Sequence, residues 1–149
     1  MAQGTTVVFN EAIQNISGLI DLSNGSDFKC MLITTLPIAA ALTPDSADFT
    51  EIAAGESYVS GGIALTTTWT EGAGVTTFDT TTPITWAKDA AGADNAMAAL
   101  IYSTTAVGED AVAFIDLSTD SGVTPLSLQT GAITVTVNAS GLFSIAVAG

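Results

Sequence analysis

Chemistry in this chain rests almost wholly on carboxylates. Fifteen Asp and Glu residues stand against two lysines, Lys29 and Lys88, with no arginine and no histidine. Without imidazole there is no ordinary general base near neutral pH, and without guanidinium no bidentate clamp for phosphate. Cys30 is the single cysteine, so the chain cannot form an internal disulfide, a zinc centre or a Cys–His pair. The carboxylates that lie close in sequence are Asp45, Asp48 and Glu51, then Glu109 with Asp110, then Asp116 with Asp120. A glycosidase needs two carboxyl groups across a cleft, one with a raised pKa, and nothing in the sequence marks a cleft. Solvated loop acids are the plainer reading. Clustered oxygens also suit Ca²⁺, which makes Asp45, Asp48 and Glu51 the candidate metal ligands, although the Asp-x-Asp-x-Asp-Gly loop is missing. Trp69 and Trp86 offer a sugar-stacking platform or, more commonly, core and interface anchors. Gly61-Gly62 has no lysine after it and reads as a bend, not a phosphate loop. No catalytic residue and no cofactor is expected.

The elements that must carry these residues read mostly as strands. Phe9, Ala12, Ile13 and Ile16 share one face at helical spacing and predict a short N-terminal helix ended by Gly18 or Gly25. Stretch 28–34, Phe-Lys-Cys-Met-Leu-Ile-Thr, is apolar on both faces apart from Lys29 and predicts a central strand. Ile63, Leu65, Thr67 and Trp69 alternate with small or polar residues as in a half-buried strand. Glu71-Gly72-Ala73-Gly74 turns the chain into Val75-Thr76-Thr77-Phe78, and Ile84-Thr85-Trp86 is a short strand after Pro83. Stretches 98–102 and 111–117 form two more strands joined near Gly108-Glu109-Asp110. Ile133, Val135 and Val137 alternate with threonines, and Asn138-Ala139-Ser140-Gly141 predicts a turn into a C-terminal hairpin. Many short strands with Gly-rich turns predict a mainly β, single-domain antiparallel sandwich or barrel-like fold with one short helix. Residues 1–149 form one β-rich domain, with 1–8 expected as a flexible N-terminal arm.

Composition narrows the function classes. Hydrophobic residues make up 48% and charged ones 11%, with a formal net charge of −13. That apolar share excludes disorder, and the scarcity of charge suits a surface covered by other copies or by a larger partner. A field so negative disfavours DNA, RNA and anionic lipid. The start lacks the basic and long apolar stretches of a signal peptide, and no window reaches the length of a membrane span. Synthesis in a cytoplasm is therefore expected, with no nucleic-acid or membrane partner.

The order of segments resembles that of small virion proteins of tailed bacteriophages. The strand 28–34 is followed by a Pro/Asp loop and by Glu56-Ser57-Tyr58-Val59-Ser60-Gly61-Gly62-Ile63-Ala64-Leu65. An Asp-led stretch, 79–86, ends at Trp86; an Ala/Tyr strand, 98–102, precedes Phe114-Ile115-Asp116; and a Thr-rich hairpin runs through Asn138 and Gly141. The chain departs from the pattern in its enrichment in alanine and in lacking a basic residue near the Ala/Tyr strand. The resemblance implies a capsid decoration (cement) protein on the outer surface of the virion. There it would bind the major capsid protein lattice as a homotrimer, one trimer bridging several subunits. Thr5, Thr6, Val7, Val8, Trp69 and Trp86 are the interface candidates, the first four as an arm that adds a strand to a neighbour. A tail, neck or fibre component is the alternative within the same particle, and a carbohydrate-binding β-sandwich the alternative from another class.

Overall fold

A computed structural model of the chain describes residues 3–16, 18, 20–41, 44–106, 109–120, 122–137 and 140–146. Several expected features touch positions outside these: Met1 and Ala2 of the arm, Thr43 of the Pro/Asp loop, Gly108, Asn138, Ala139 and Val147. The described residues form a mainly β protein of antiparallel sheets with one short helix.

The core is built on one sheet whose strands are apolar on both faces. Strands β2 (Phe28–Ile33), β7 (Ala98–Ser103) and β8 (Ala111–Asp116) are buried almost end to end, Lys29 alone being half-exposed. Strands β1 (Thr6–Val8) and β3 (Ile63–Leu65) complete it in the order β1-β8-β7-β2-β3. Continuous apolar runs of this kind demand cover on both sides. Register assigns the faces: Phe114, Leu100 and Met31 line up across the strands on one, and Ile115, Ala99 and Leu32 on the other.

On the first face sits helix α1 (Asn10–Asn15), whose N-cap residue Phe9 packs 5.3 Å from the Phe114 ring and 5.8 Å from Phe49. At six residues the helix presents one narrow stripe, so Phe9 and Ala12 are buried and Ile16 is half-buried, but Ile13 is 58% exposed. The expected four-residue face is thus corrected by one position, because Ile13 lies about 100° around the helix from Ala12.

The second face is covered by two smaller sheets. One has the order β10-β5-β4, with β4 (Thr67–Gly72), β5 (Val75–Thr80) and β10 (Phe143–Ala146); the other pairs β6 (Ile84–Trp86) with β9 (Ile133–Val135). Phe28 meets Phe78 edge-on at 5.0 Å across the layers, a geometry that contributes about 1 kcal/mol beyond area burial. The large sheet ends at β1 and β3 among the described residues, so the layers stack as in a sandwich and do not close as a barrel.

Alternation at 63–69 is as expected, but the run is two strands. The chain leaves the large sheet after Leu65 and enters the small one at Thr67. The β4–β5 turn holds Ala73 at φ 55° and Gly74 at φ 80°, the two left-handed residues of a two-residue hairpin turn. The expected C-terminal hairpin does not form: β9 pairs with β6 and β10 with β5. Burial decides this. Ile133 and Val135 go under cover beside Trp86 and Ile84, whereas Phe143 lies on Phe78, so each segment follows its own apolar partner.

The expected free arm is also corrected. Thr6, Val7 and Val8 pair with Ile115, Phe114 and Ala113, while the Thr5 carbonyl accepts the Asp116 N–H at 3.2 Å. β8 is apolar on both faces and gains a ladder partner from this segment, so the sheet holds it.

Candidate functional site

The densest convergence of polar groups lies on the helix-side face of the large sheet. Lys29 and Tyr102 face each other across β2 and β7, and with Ser46, Glu51, Gly61 and Glu109 they line a shallow groove of about 380 Å³. Loop 44–51 and loop 58–62 form its walls.

Glu51 organises this groove. Its Oε1 accepts from the Tyr58 hydroxyl at 2.7 Å and from the Gly61 N–H at 2.5 Å, while Oε2 accepts from the Ser60 hydroxyl at 2.7 Å. Tyr58 in turn accepts the Leu32 N–H at 3.0 Å, tying loop 58–62 to β2. Tyr102 closes the ring by donating to the Gly61 carbonyl at 2.9 Å. Gly62 then turns away at φ 72°, where an added Cβ would lie 2.0 Å from the Cys30 carbonyl oxygen. The Gly61-Gly62 bend is therefore a requirement of backbone against backbone.

Electrostatics follow from burial and like charge. Burial first, then the Glu109 and Glu51 carboxylates, push the Tyr102 phenol up to about 12. Burial and the Glu51 hydrogen bond raise Tyr58 further. Both phenols stay protonated near neutrality and act as donors. Burial also pushes the Cys30 thiol up to about 12, which leaves it an inert packing group. What this arrangement offers chemically is a fixed hydrogen-bonding surface with one ammonium among carboxylates.

The three calcium candidates are not brought together. Asp48 accepts the Asp45 N–H at 3.0 Å and caps the short 3-10 turn at Ser46–Asp48. The Asp45 carboxyl lies beside Asp110, and burial, that neighbour and Asp48 raise its pKa. Glu51 points instead into the loop it holds. Among the described residues no three acidic, Cys or His side chains converge to hold a metal.

The tryptophans are separated too. Trp69 is half-buried on β4 beside Phe78 and Phe143, each at 6.4 Å, and lines a second shallow groove with Ile16, Ile20 and Leu22. Trp86 is 2% exposed and packs on Tyr58 at 6.2 Å, with its Nε1 donor unpartnered. As an interface candidate Trp86 is corrected to a core residue, because β6 turns that side of the strand inward. No shared aromatic platform results.

One loop-organising carboxylate escaped the sequence reading. Asp89, buried three residues after β6, accepts the Ala91 N–H at 2.9 Å through Oδ1 and the Glu56 N–H at 2.9 Å through Oδ2. These donors, Ala91 first, lower its pKa against the opposing effect of burial. The Asp-Ala-Ala-Gly run at 89–92 was the available signal, since Asp before small residues favours such turns.

No helix among the described residues is long and apolar enough to cross a membrane. Comparison of the chain with protein families, with curated proteins and with solved structures found no match.

Proposed function

We propose that this chain is a structural subunit of a tailed-phage particle, a decoration protein that binds the outer surface of the major capsid lattice as a homotrimer and acts without catalysis. The observation that carries the reading is the segregation of charge. The outward face of the β10-β5-β4 sheet carries Thr68, Thr70, Thr77, Ser144, Val75 and Ala146, with Asp79 as its one charge. Asp45, Asp48, Glu51, Glu109 and Asp110 gather on the other side of the large sheet. A β-face with a single carboxylate on a chain of net charge −13 is where a close partner approaches at little cost in desolvated charge. The acidic side is suited to face solvent and to repel nucleic acid. The order of sequence segments supplies the particle type.

A ligand that binds only the assembled lattice stabilises it by mass action, and repetition over symmetric sites multiplies the effect. Heads stripped of this protein are expected to burst at lower temperature and milder osmotic shock, with adsorption to the host unchanged, and intact particles to carry it in hundreds of copies. Equal robustness of stripped heads together with failed adsorption would overturn the decoration reading in favour of a tail or fibre component.

A further inference from the structure

A groove of about 360 Å³ runs between the first strand of the large sheet and the last strand of the β6–β9 pair. Its floor is apolar, from Ile115, Leu117 and Leu126, and none of the described residues lining it is charged. Four consecutive residues, Thr134, Val135, Thr136 and Val137, line one wall. A strand seen from its face contributes every second residue, so four in a row means that β9 and its continuation present their backbone edge. Gln3, Gly4 and Thr6 line the other wall. There the Asp116 N–H reaches the Thr5 carbonyl and the Phe9 N–H reaches the Val112 carbonyl at 3.1 Å. The Gly4 N–H also donates to the Asp116 carbonyl at 2.7 Å, so the segment is held to β8 through Gly4, Thr5 and Phe9, and alternation between Thr5 and Val7 turns the N–H and C=O of Thr6 outward. Among the described residues both edges are the outermost of their sheets.

We propose that this groove receives an extended segment of a different polypeptide, which adds as a strand between β1 and β9. The inference goes beyond the function proposed above and holds whatever particle the chain serves. Two open edges supply main-chain hydrogen bonds, and the apolar floor takes every second side chain. Residues entering the groove are small and β-branched, to match a narrow uncharged slot. The occupant's flanks are basic, because the receiving chain carries −13 and the segment leaves the neutral slot into that field. A second copy fits poorly: its only cations are Lys29, inside β2, and Lys88, directly after the already paired β6.

The test uses the whole chain and a fluorescent Lys-Lys-Thr-Val-Thr-Val-Thr-Val-Lys-Lys peptide, read by anisotropy. Micromolar binding is expected, weakened about tenfold or more by a central proline, by glutamates in place of the lysines, or by Thr136→Trp, which fills the slot from an exposed position. Hydrogen exchange should slow at Thr6 and over 134–137 on binding, and the Thr136→Trp chain should melt as the parent does. Absence of binding, equal binding of the proline peptide, or binding indifferent to Thr136→Trp would each overturn the proposal. So would a dimer in sedimentation that Thr136→Trp abolishes, since the occupant would then be a second copy.

Discussion

At the scale of single residues, two aspartates push stability in opposite directions with pH. Asp45 has a raised pKa because burial and the Asp110 carboxyl disfavour its charge. A raised carboxyl favours folding fully below its ordinary value of 3.8 and loses that contribution as pH climbs through the folded value. Asp45→Asn is therefore expected to raise Tm at pH 7, with the gap to the parent closing as the solution is acidified toward 3.8. A thermal melt series across pH checks this; a gap that widens in acid would show that Asp45 is stabilised as the anion. Asp89 works the other way. Its lowered pKa, caused first by the Ala91 N–H, gives stability that is present above 3.8 and lost as pH falls through the folded value. Asp89→Ala should lower Tm at neutral pH, with the loss fading in strong acid. Gly62 is the third sensitive position: Gly62→Ala forces a Cβ against the Cys30 carbonyl at positive φ and should cost about 3 kcal/mol or more by chemical denaturation.

At the scale of elements, the β4–β5 hairpin contains a correctable strain. Ala73 occupies a left-handed conformation that its Cβ disfavours, at the turn position where asparagine is preferred. Ala73→Asn should stabilise by about 1 kcal/mol, or roughly 2–4 °C in Tm. An unchanged or lower Tm would mean that the turn is not held in this form. The same hairpin shows what the sequence makes legible. Strand existence followed from alternation at 63–69 and from the apolar runs at 28–34, 98–102 and 111–117, because burial on one face or on both leaves a direct mark. Pairing left a weaker mark. Nothing local distinguishes 133–137 and 143–146 as a hairpin from the same segments bound to β6 and β5, and long-range fit to Trp86 and Phe78 decided it. The candidate site was legible in part for the same reason. Glu51 stood out as one acid of a loop, but its three donors come from Tyr58, Ser60 and Gly61, which become its neighbours only through the bend at Gly61-Gly62. Thr5 to Val8 looked like a free arm because three short strand residues carry no pattern of their own; the partner β8 supplies it.

At the scale of the whole molecule, net charge governs assembly. Copies that each carry −13 repel at long range, and at low ionic strength that repulsion reaches across a full subunit. A trimer contact through the β10-β5-β4 face, which carries Asp79 as its one charge, contains no ion pair, so added salt screens the repulsion while leaving the attraction nearly intact. The Debye length falls from about 30 Å at 0.01 M to about 8 Å at 0.15 M. Association should therefore strengthen as salt rises over that range, the reverse of the behaviour of an interface built on ion pairs. Sedimentation velocity at fixed micromolar concentration is expected to show monomer giving way to trimer as sodium chloride increases. Monomer mass at every salt concentration would remove self-association in solution and leave trimer formation to the capsid surface alone. Dissociation by salt would instead place Lys29 or Lys88 in the contact, and the charge-poor β10-β5-β4 face would lose its role.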